Sequence, residues 1–530
     1  MKSIKRYFKH LCTDSELKNK INYESPSKKE MLTDSLQQNL KNIKDTLGNS
    51  DDLIIREIKT KTSPSLEIGI LYIDGLSDKN SIQNYIIESL MLEINTSEEK
   101  KLFSLGDDIL QALEQFILTI GDVKRIDDFN DIYTELLTGN TVILIDGYTQ
   151  GIKASTSGWE SRGIQEPSSQ TVIRGPKDGF CENIRTNTSL IRRRIKSPNL
   201  WLETIILGLE TQTSVSIMYM KGIVNENTVD EVKRRLEEIE IDGILESGYI
   251  EELIQDETYT PFPTIYNTER PDVISAGLLE GRIAILVDGT PFVLLVPAVF
   301  IQFIQSAEDY YQRSDFGAVR TLRLLSIFIA LLAPSLYIAI TTFHQEMIPT
   351  ALLMSIAAQR EGIPFPAFIE ALIMEITFEI LREAGVRMPR AVGQAVSIVG
   401  ALVVGQAAVD AGIVSAAMVI VVAITAISSF VIPSFNMGIA IRILRFGFMA
   451  LAACFGLFGI ITGVFFLLLH LCSLNSFGIP YMAPIAPFNA ADQKDTVIRL
   501  PRWKRIFRTG SCSSKNKRNY PKNHNKWNSD

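Results

Sequence analysis

The sequence predicts an integral membrane protein: a cytosolic-side α/β head of two related subdomains, followed by a polytopic α-helical membrane domain. Three observations carry this. Composition changes near residue 316. Residues 1–316 are polar and acidic with periodic apolar positions, while 321–471 are mostly Ile, Leu, Val, Ala, Phe and Gly. The run Leu322–Ile340 holds one charge, Arg323, in nineteen residues, and Leu451–Leu469 holds none. A helix needs about 20 such residues to cross a bilayer's hydrocarbon core. Finally, the head repeats itself. Glu135–Gly147 and Leu278–Gly289 each read as a helix end, a Gly stop, a β-rich run and an Asp-Gly turn, and upstream Leu71–Gly75 echoes Met218–Gly222.

Taken in order, residues 1–49 form a polar leader in which Leu32, Leu36, Leu40, Ile43 and Leu47 mark one amphipathic helix. The first subdomain spans 50–148. Strands are expected at Leu53–Ile58, Leu66–Ile73 and Thr141–Ile145, with helices at Ser81–Leu92, Asp107–Leu118 and Asp128–Leu137. A joining segment, 149–199, carries Arg192, Arg193, Arg194 and Lys196 on a helix. This cationic cluster suits inter-subunit ion pairs or anionic lipid heads. No GxxxxGK[ST] or GxGxxG motif supports a nucleotide site. The second subdomain, 200–299, ends in a hairpin joining Ile283–Val287 to Phe292–Val296 through Asp288-Gly289. Asp74, Asp146 and Asp288 are read as turn formers, because each precedes a Gly at a strand end.

Residues 300–316 are expected to be an interfacial approach helix, with Tyr310 and Tyr311 at headgroup depth. The helical membrane domain is 317–490. Its spans fall at Thr321–Thr341, Ala391–Val409, Ile413–Ile432 and Phe448–Leu469, and a fifth between His344 and Arg390 stays open. Four spans put both chain ends inside. Five put Arg387, Arg390, Arg442 and Arg445 inside but expel the tail. That tail, 491–530, is basic, with eleven Lys/Arg against three Asp in a chain of net charge −7. A membrane-proximal tail is expected there rather than a nucleic-acid reader.

Candidate functional residues follow from polarity in apolar helices. Glu375, Glu379 and Glu383 recur at i, i+4, i+8 and cannot face lipid. Three placements remain open: a helix on the membrane surface, a cation-attracting pore mouth, or pairing with Arg382, Arg387 or Arg390. Gln394, Ser397, Gln406 and Asp410 are further candidates for an ion path or gate. Five scattered cysteines without CxxC spacing and four dispersed histidines suggest neither a metal site, a cofactor nor an enzyme. The start, MKSIKRYFKHLCTDSE, lacks an apolar signal core, so the head is expected to stay on the cytoplasmic side.

Several long motifs then carry a specific resemblance. These are Glu166-Pro, Val172-Ile-Arg-Gly-Pro176, Leu190-Ile-Arg-Arg-Arg-Ile-Lys196, Thr268-Glu-Arg-Pro-Asp272, His344-Gln-Glu-Met-Ile-Pro349 and Gly478-Ile-Pro-Tyr-Met-Ala-Pro484. Together they resemble the A subunit of bacterial spore nutrient germinant receptors over residues 50–490. The resemblance implies a multi-pass protein of the spore inner membrane, its head on the core side. It implies partnership with a permease-like B subunit and a lipoprotein C subunit, self-assembly, and a monovalent-cation channel formed or gated by the helical half. A non-conducting scaffold that relays the signal is the alternative. Gln170 departs from the family's Glu-Pro-x-x-Glu pattern, where Glu is usual at this position.

Overall fold

The structure, a computed structural model, describes residues 30–59, 66–93, 110, 122–158, 166–167, 170–311, 317–388, 405–489, 493 and 496. The expected helix at Asp107–Leu118, most of the span Ala391–Val409 and nearly all of the basic tail lie outside them. The chain forms two compact units. One comprises Met1–Ile43, Ile55–Tyr72 and Lys79–Thr156, the other Lys44–Ile54, Ile73–Asp78 and Ser157–Asp530.

The first unit is built on a five-stranded sheet of order β1-β2-β4-β5-β3, with β1 at Leu53–Lys59, β2 at Glu67–Ile73, β3 at Val123–Ile126, β4 at Thr141–Ile145 and β5 at Gly151–Ala154. Helix α1 (Leu36–Thr46) precedes β1, burying Leu36, Leu40 and Ile43 at the predicted spacing. Helix α2 (Phe129–Leu137) is capped by Asp128, whose side chain accepts from the Asn130 amide.

The second unit repeats this order as β6-β7-β9-β10-β8: β6 at Leu200–Leu207, β7 at Thr213–Met220, β8 at Tyr266–Thr268, β9 at Ile283–Val287 and β10 at Val293–Val296. β9 and β10 form the expected antiparallel hairpin. The helix α3 (Ile184–Arg194) precedes β6 as α1 precedes β1. Helices α4 (Glu226–Glu237), α5 (Ser247–Ile254) and α6 (Pro271–Leu279) complete the α/β part of this unit.

The Asp-Gly turns do more than turn. Asp146 Oδ1 accepts from the Leu36 amide at 3.0 Å, and the Gly147 amide donates to Asp34 O at 2.8 Å. In the second unit Asp288 Oδ1 accepts from the Ile184 amide at 3.0 Å, and Gly289 donates to Glu182 O at 2.8 Å. Each turn thus holds the first turn of the helix that opens its own repeat, where backbone amides lack intrahelical partners. The basic helix is therefore the first element of the second repeat, not part of a separate joining segment.

The approach helix is corrected. Phe300–Ile304 is a 3-10 turn with Phe303 and Ile304 buried, followed among the described residues before Gly317 by a helical turn at Glu308–Tyr311. Tyr311 donates its hydroxyl to Asp272 rather than facing lipid heads. Burial, then that hydrogen bond, raises its phenol well above the usual tyrosine range.

Among the described residues, two helices are long and apolar enough to cross a membrane, Val319–Thr342 and Phe435–Ser473. The first lies in α7 (Gly317–Thr342). Helices α8 (Thr350–Arg360), α9 (Ala367–Arg387) and α10 (Ala416–Phe430) follow, then α11 (Phe435–Ser473). α11 is not one rod. Gly456 has φ 61° and ψ −141°, outside helical geometry. A Cβ on Gly459 would stand 2.4 Å from Leu451 O, and one on Gly463 2.8 Å from the Phe448 ring. A straight helix separates such positions by about 12 and 22 Å. The chain folds back at Gly456 into a helical hairpin. The single span expected at Phe448–Leu469 is thereby broken at its ninth residue, a correction that the unbroken apolar run concealed. A Cβ at Gly456 would also meet His344 at 2.9 Å and Phe343 at 3.1 Å, so the reversal abuts the end of α7.

Gly456→Ala should lower the detergent melting temperature and folded yield, since the backbone strain alone costs on the order of 1–3 kcal/mol. Gly438→Ala in the same helix faces open space and should leave both unchanged or slightly raised.

Candidate functional site

The polar core of the helical half is built on α9. Pro364 and Pro366 precede it, and Pro366 fixes an extended entry. From there four carboxylates face inward or along one side. Glu370, fully buried, accepts from the Ser415 amide at 3.0 Å and lies 3.3 Å from the Arg360 guanidinium. Glu375, also buried, accepts from Arg445 Nη1 at 2.6 Å. Arg445 in turn donates Nε to Ala330 O at 2.6 Å, so one guanidinium ties α9, α11 and α7 together. Glu379 receives Arg442 on one oxygen and Arg382 on the other, the latter at 3.3 Å. Arg382 also donates to Ser429 Oγ at 3.0 Å and lies 5.2 Å from the Phe430 ring. Glu383 pairs with Arg387 at 2.6 Å in the open.

The stripe thus grades from sealed to wet. Among the placements open from sequence, pairing describes the described atoms. Two decisive partners, Arg442 and Arg445, were not among those expected; Arg390 lies outside the described residues. Two arginines three residues apart in an otherwise apolar helix are the sequence signal that could have found them. Glu375 Oε1 and Arg445 Nη2 are buried without a hydrogen-bond partner among the described residues, leaving polar capacity inside the bundle.

The other candidates separate. Gln406 donates to Asp410 at 2.9 Å on an exposed surface. Gln394 and Ser397 lie outside the described residues. Nor does the basic cluster stay together. Arg192 is 1% exposed and grips Asp52 with two nitrogens while donating to Leu200 O. Arg194 pairs with Asp178 at 2.6 Å, and Arg193 is engaged as well. The expectation of lipid or inter-subunit contact therefore fails for Arg192, because burial and a bidentate carboxylate already use it. Lys196 alone of the four is exposed.

A second buried cluster sits where the head enters α7. Asp309 receives Arg320 at 2.7 Å and Arg323 at 3.0 Å, all three buried. Nearby, Arg270 donates to Asp272 and to the carbonyls of Gln170 and Pro176, clamping the 170–176 loop. Gln170 accepts from Thr268 Oγ1 through its amide oxygen. Its neutral side chain makes a hydrogen bond there where a glutamate would carry a charge.

Residues 41–510 match the family described as Bacillus/Clostridium GerA spore germination protein. The chain is 52% identical to spore germination protein KA of Bacillus subtilis (strain 168), covering 92% of this chain and 88% of that protein. It is 42% identical to spore germination protein GerLA of Bacillus cereus, over 89% and 94% respectively. A solved crystal structure also matches: the N-terminal domain of the A subunit of the Bacillus megaterium spore germinant receptor GerK3. It is 43% identical, covers 52% of this chain and 100% of that one, and has a TM-score of 0.42. This chain belongs to the GerA family of spore germination proteins.

Glu375→Gln strands Arg445 in a sealed site and should cost about 3–5 kcal/mol, seen as strongly reduced protein in isolated membranes. Glu383→Gln, at the wet end, should leave protein abundance within error of wild type. Equal abundance for both would contradict the gradient. In the head, Asp52→Asn should lower the thermal midpoint far more than Asp178→Asn. The reason is that Arg192 has no exit to water, whereas Arg194 and Asp178 are only half-buried.

Proposed function

We propose that this protein is the A-type subunit of a nutrient germinant receptor, and that its helical half forms or gates a path for monovalent cations. It resides in the spore inner membrane with the α/β head on the core side, alongside a permease-like B subunit and a lipoprotein C subunit. It is not an enzyme. Family membership over residues 41–510 supports the receptor role. The observation that carries the conduction role is the set of carboxylates and guanidiniums at the centre of an apolar bundle. An ion crossing hydrocarbon needs polar groups along its way. Here Glu375 and Glu379 are neutralised by Arg445, Arg442 and Arg382, which describes a closed arrangement. Nutrient binding by a partner would shift the population toward a packing in which some of these pairs part. Several copies around an axis would enclose the path.

α7 runs from Asp309 to the Gly456 reversal. α9 runs back: its Glu370 meets Ser415, which lies beside Tyr337 near the end of α7, and its Glu375 is tied through Arg445 to Ala330 in the middle. α10 runs parallel to α9, with Ser429 beside Arg382. These directions fit a polytopic bundle. The two arms of α11 then go out and return.

A second reading, a scaffold that relays the signal to another channel, draws support from the same pairs. Every described carboxylate of the stripe already has a cation, so the ladder would serve packing alone. Purified receptor with its B and C partners in liposomes decides between them. Nutrient-dependent K⁺ efflux is expected of the channel, with Glu379→Gln slowing the efflux per folded receptor, because Arg442 and Arg382 are then left without their carboxylate. A complete, folded complex that passes no K⁺ would leave the scaffold.

A further inference from the structure

Two loops of the second unit end in apolar tips that no described residue covers. Ile173 is 93% exposed and Tyr259 98% exposed. Both loops are tethered at the same end of the helical half. The Ile173 amide donates to Glu308 Oε1 at 2.7 Å, and the neighbouring Asp309 holds Arg320 and Arg323 in the first turns of α7. Thr260, next to Tyr259, shares a hydrogen bond of 2.9 Å with His470 Nε2 in the last turn of α11, and Phe262 lies against the same imidazole. The tips therefore sit at the level where the first apolar helix begins and the last one ends. Ile173 is flanked by exposed Arg174 and Lys177, the latter in a solvent-facing pair with Glu166.

We propose that these loops are membrane wedges. On the reading of the helical half as membrane-spanning, Ile173 and Tyr259 enter the headgroup layer of the head-side leaflet, while Arg174 and Lys177 contact anionic lipid heads. The occupant is a lipid surface, for three reasons. Both loops are tethered to the ends of helices that, on this reading, themselves meet lipid. An apolar tip beside cations matches the interface between acyl chains and anionic headgroups. A tyrosine at this depth keeps its ring in the apolar layer and its hydroxyl wet. The inference reassigns lipid contact from the Arg192–Arg194 cluster, whose charges are spent internally, to a loop clamped in place by Arg270. So held, the head would be fixed against the membrane and any movement of its loops passed to α7 and α11.

The test uses the full chain with its native cysteines replaced by serine, in nanodiscs of phosphatidylglycerol or phosphatidylcholine. A polarity-sensitive dye is placed at Ile173→Cys, Tyr259→Cys, Leu209→Cys or Phe465→Cys, with nitroxide lipids labelled near the headgroup or deep in the acyl chain. Dyes at 173 and 259 should lose about half their emission to the shallow quencher and little to the deep one. A dye at Leu209, exposed on the head, should lose almost none. Arg174→Gln with Lys177→Gln should weaken quenching at 173 in phosphatidylglycerol and not in phosphatidylcholine. If 173 and 259 respond like 209 while 465 is quenched by lipid, the wedges are refuted and the membrane reading stands. If 465 is also unquenched, both fall. Shielding that appears only when B and C subunits are added would replace lipid with a protein partner and overturn the proposal.

Discussion

Glu375 and Arg445 are opposite charges sealed from water at the crossing of three helices. Neither could be buried alone, since leaving one unpaired in a low-dielectric interior costs several kcal/mol. Their pairing fixes where α9 lies on α11, and the Arg445 bond to Ala330 O fixes both on α7. Apolar side chains slide past one another with little penalty in such a bundle. A carboxylate matched to a guanidinium permits far fewer registers. Glu370 does the same one turn and a half earlier, receiving the amide that opens α10. The conformational freedom of this half of the protein is consequently defined by which of these pairs can part, and at what cost.

The head solves a different problem with a repeated device. In each sheet an Asp-Gly turn accepts the first amide of a helix roughly a hundred residues earlier in the chain. Gly supplies the positive φ, 83° at Gly147 and 89° at Gly289, that lets the aspartate face back toward the helix. The same strand order appears in both units because the same local chemistry closes both. Within the second unit the head is also welded to the helical half. Asp309 binds the start of α7, and the strand pair Asn475–Ser476 and Ile479–Pro480 returns from α11 to it. There Ser476 Oγ links Ala298 to Thr264, and the Phe300 amide reaches Tyr481 O. A displacement of α7 or α11 would load these joints directly.

Much was legible in the residues. The apolar runs announced the helical half, the echo of Ile-Asp-Gly with Val-Asp-Gly announced two kindred sheets, and the 3.6-residue spacing of Leu36, Leu40 and Ile43 placed α1. Each of these is local: burial repeats along a helix or strand, and turn chemistry sits at fixed offsets. Long motifs identified the family for the same reason.

Partnership is not local, and there the tertiary structure decided. Sequence could show that the Glu375 stripe needed cations, but not that they would come from 442 and 445, about seventy residues away. It showed four adjacent basic residues but not that Asp52 would take one of them out of solvent. It showed an unbroken apolar run across Gly456 but not a reversal, since a glycine in a helix and a glycine at a hairpin differ only in φ and ψ. What the chain by itself determined was composition, period and turn type. Which charge meets which, and where an apolar helix turns back, depended on contacts between segments far apart in sequence, whose energies exist only once the segments have been brought together.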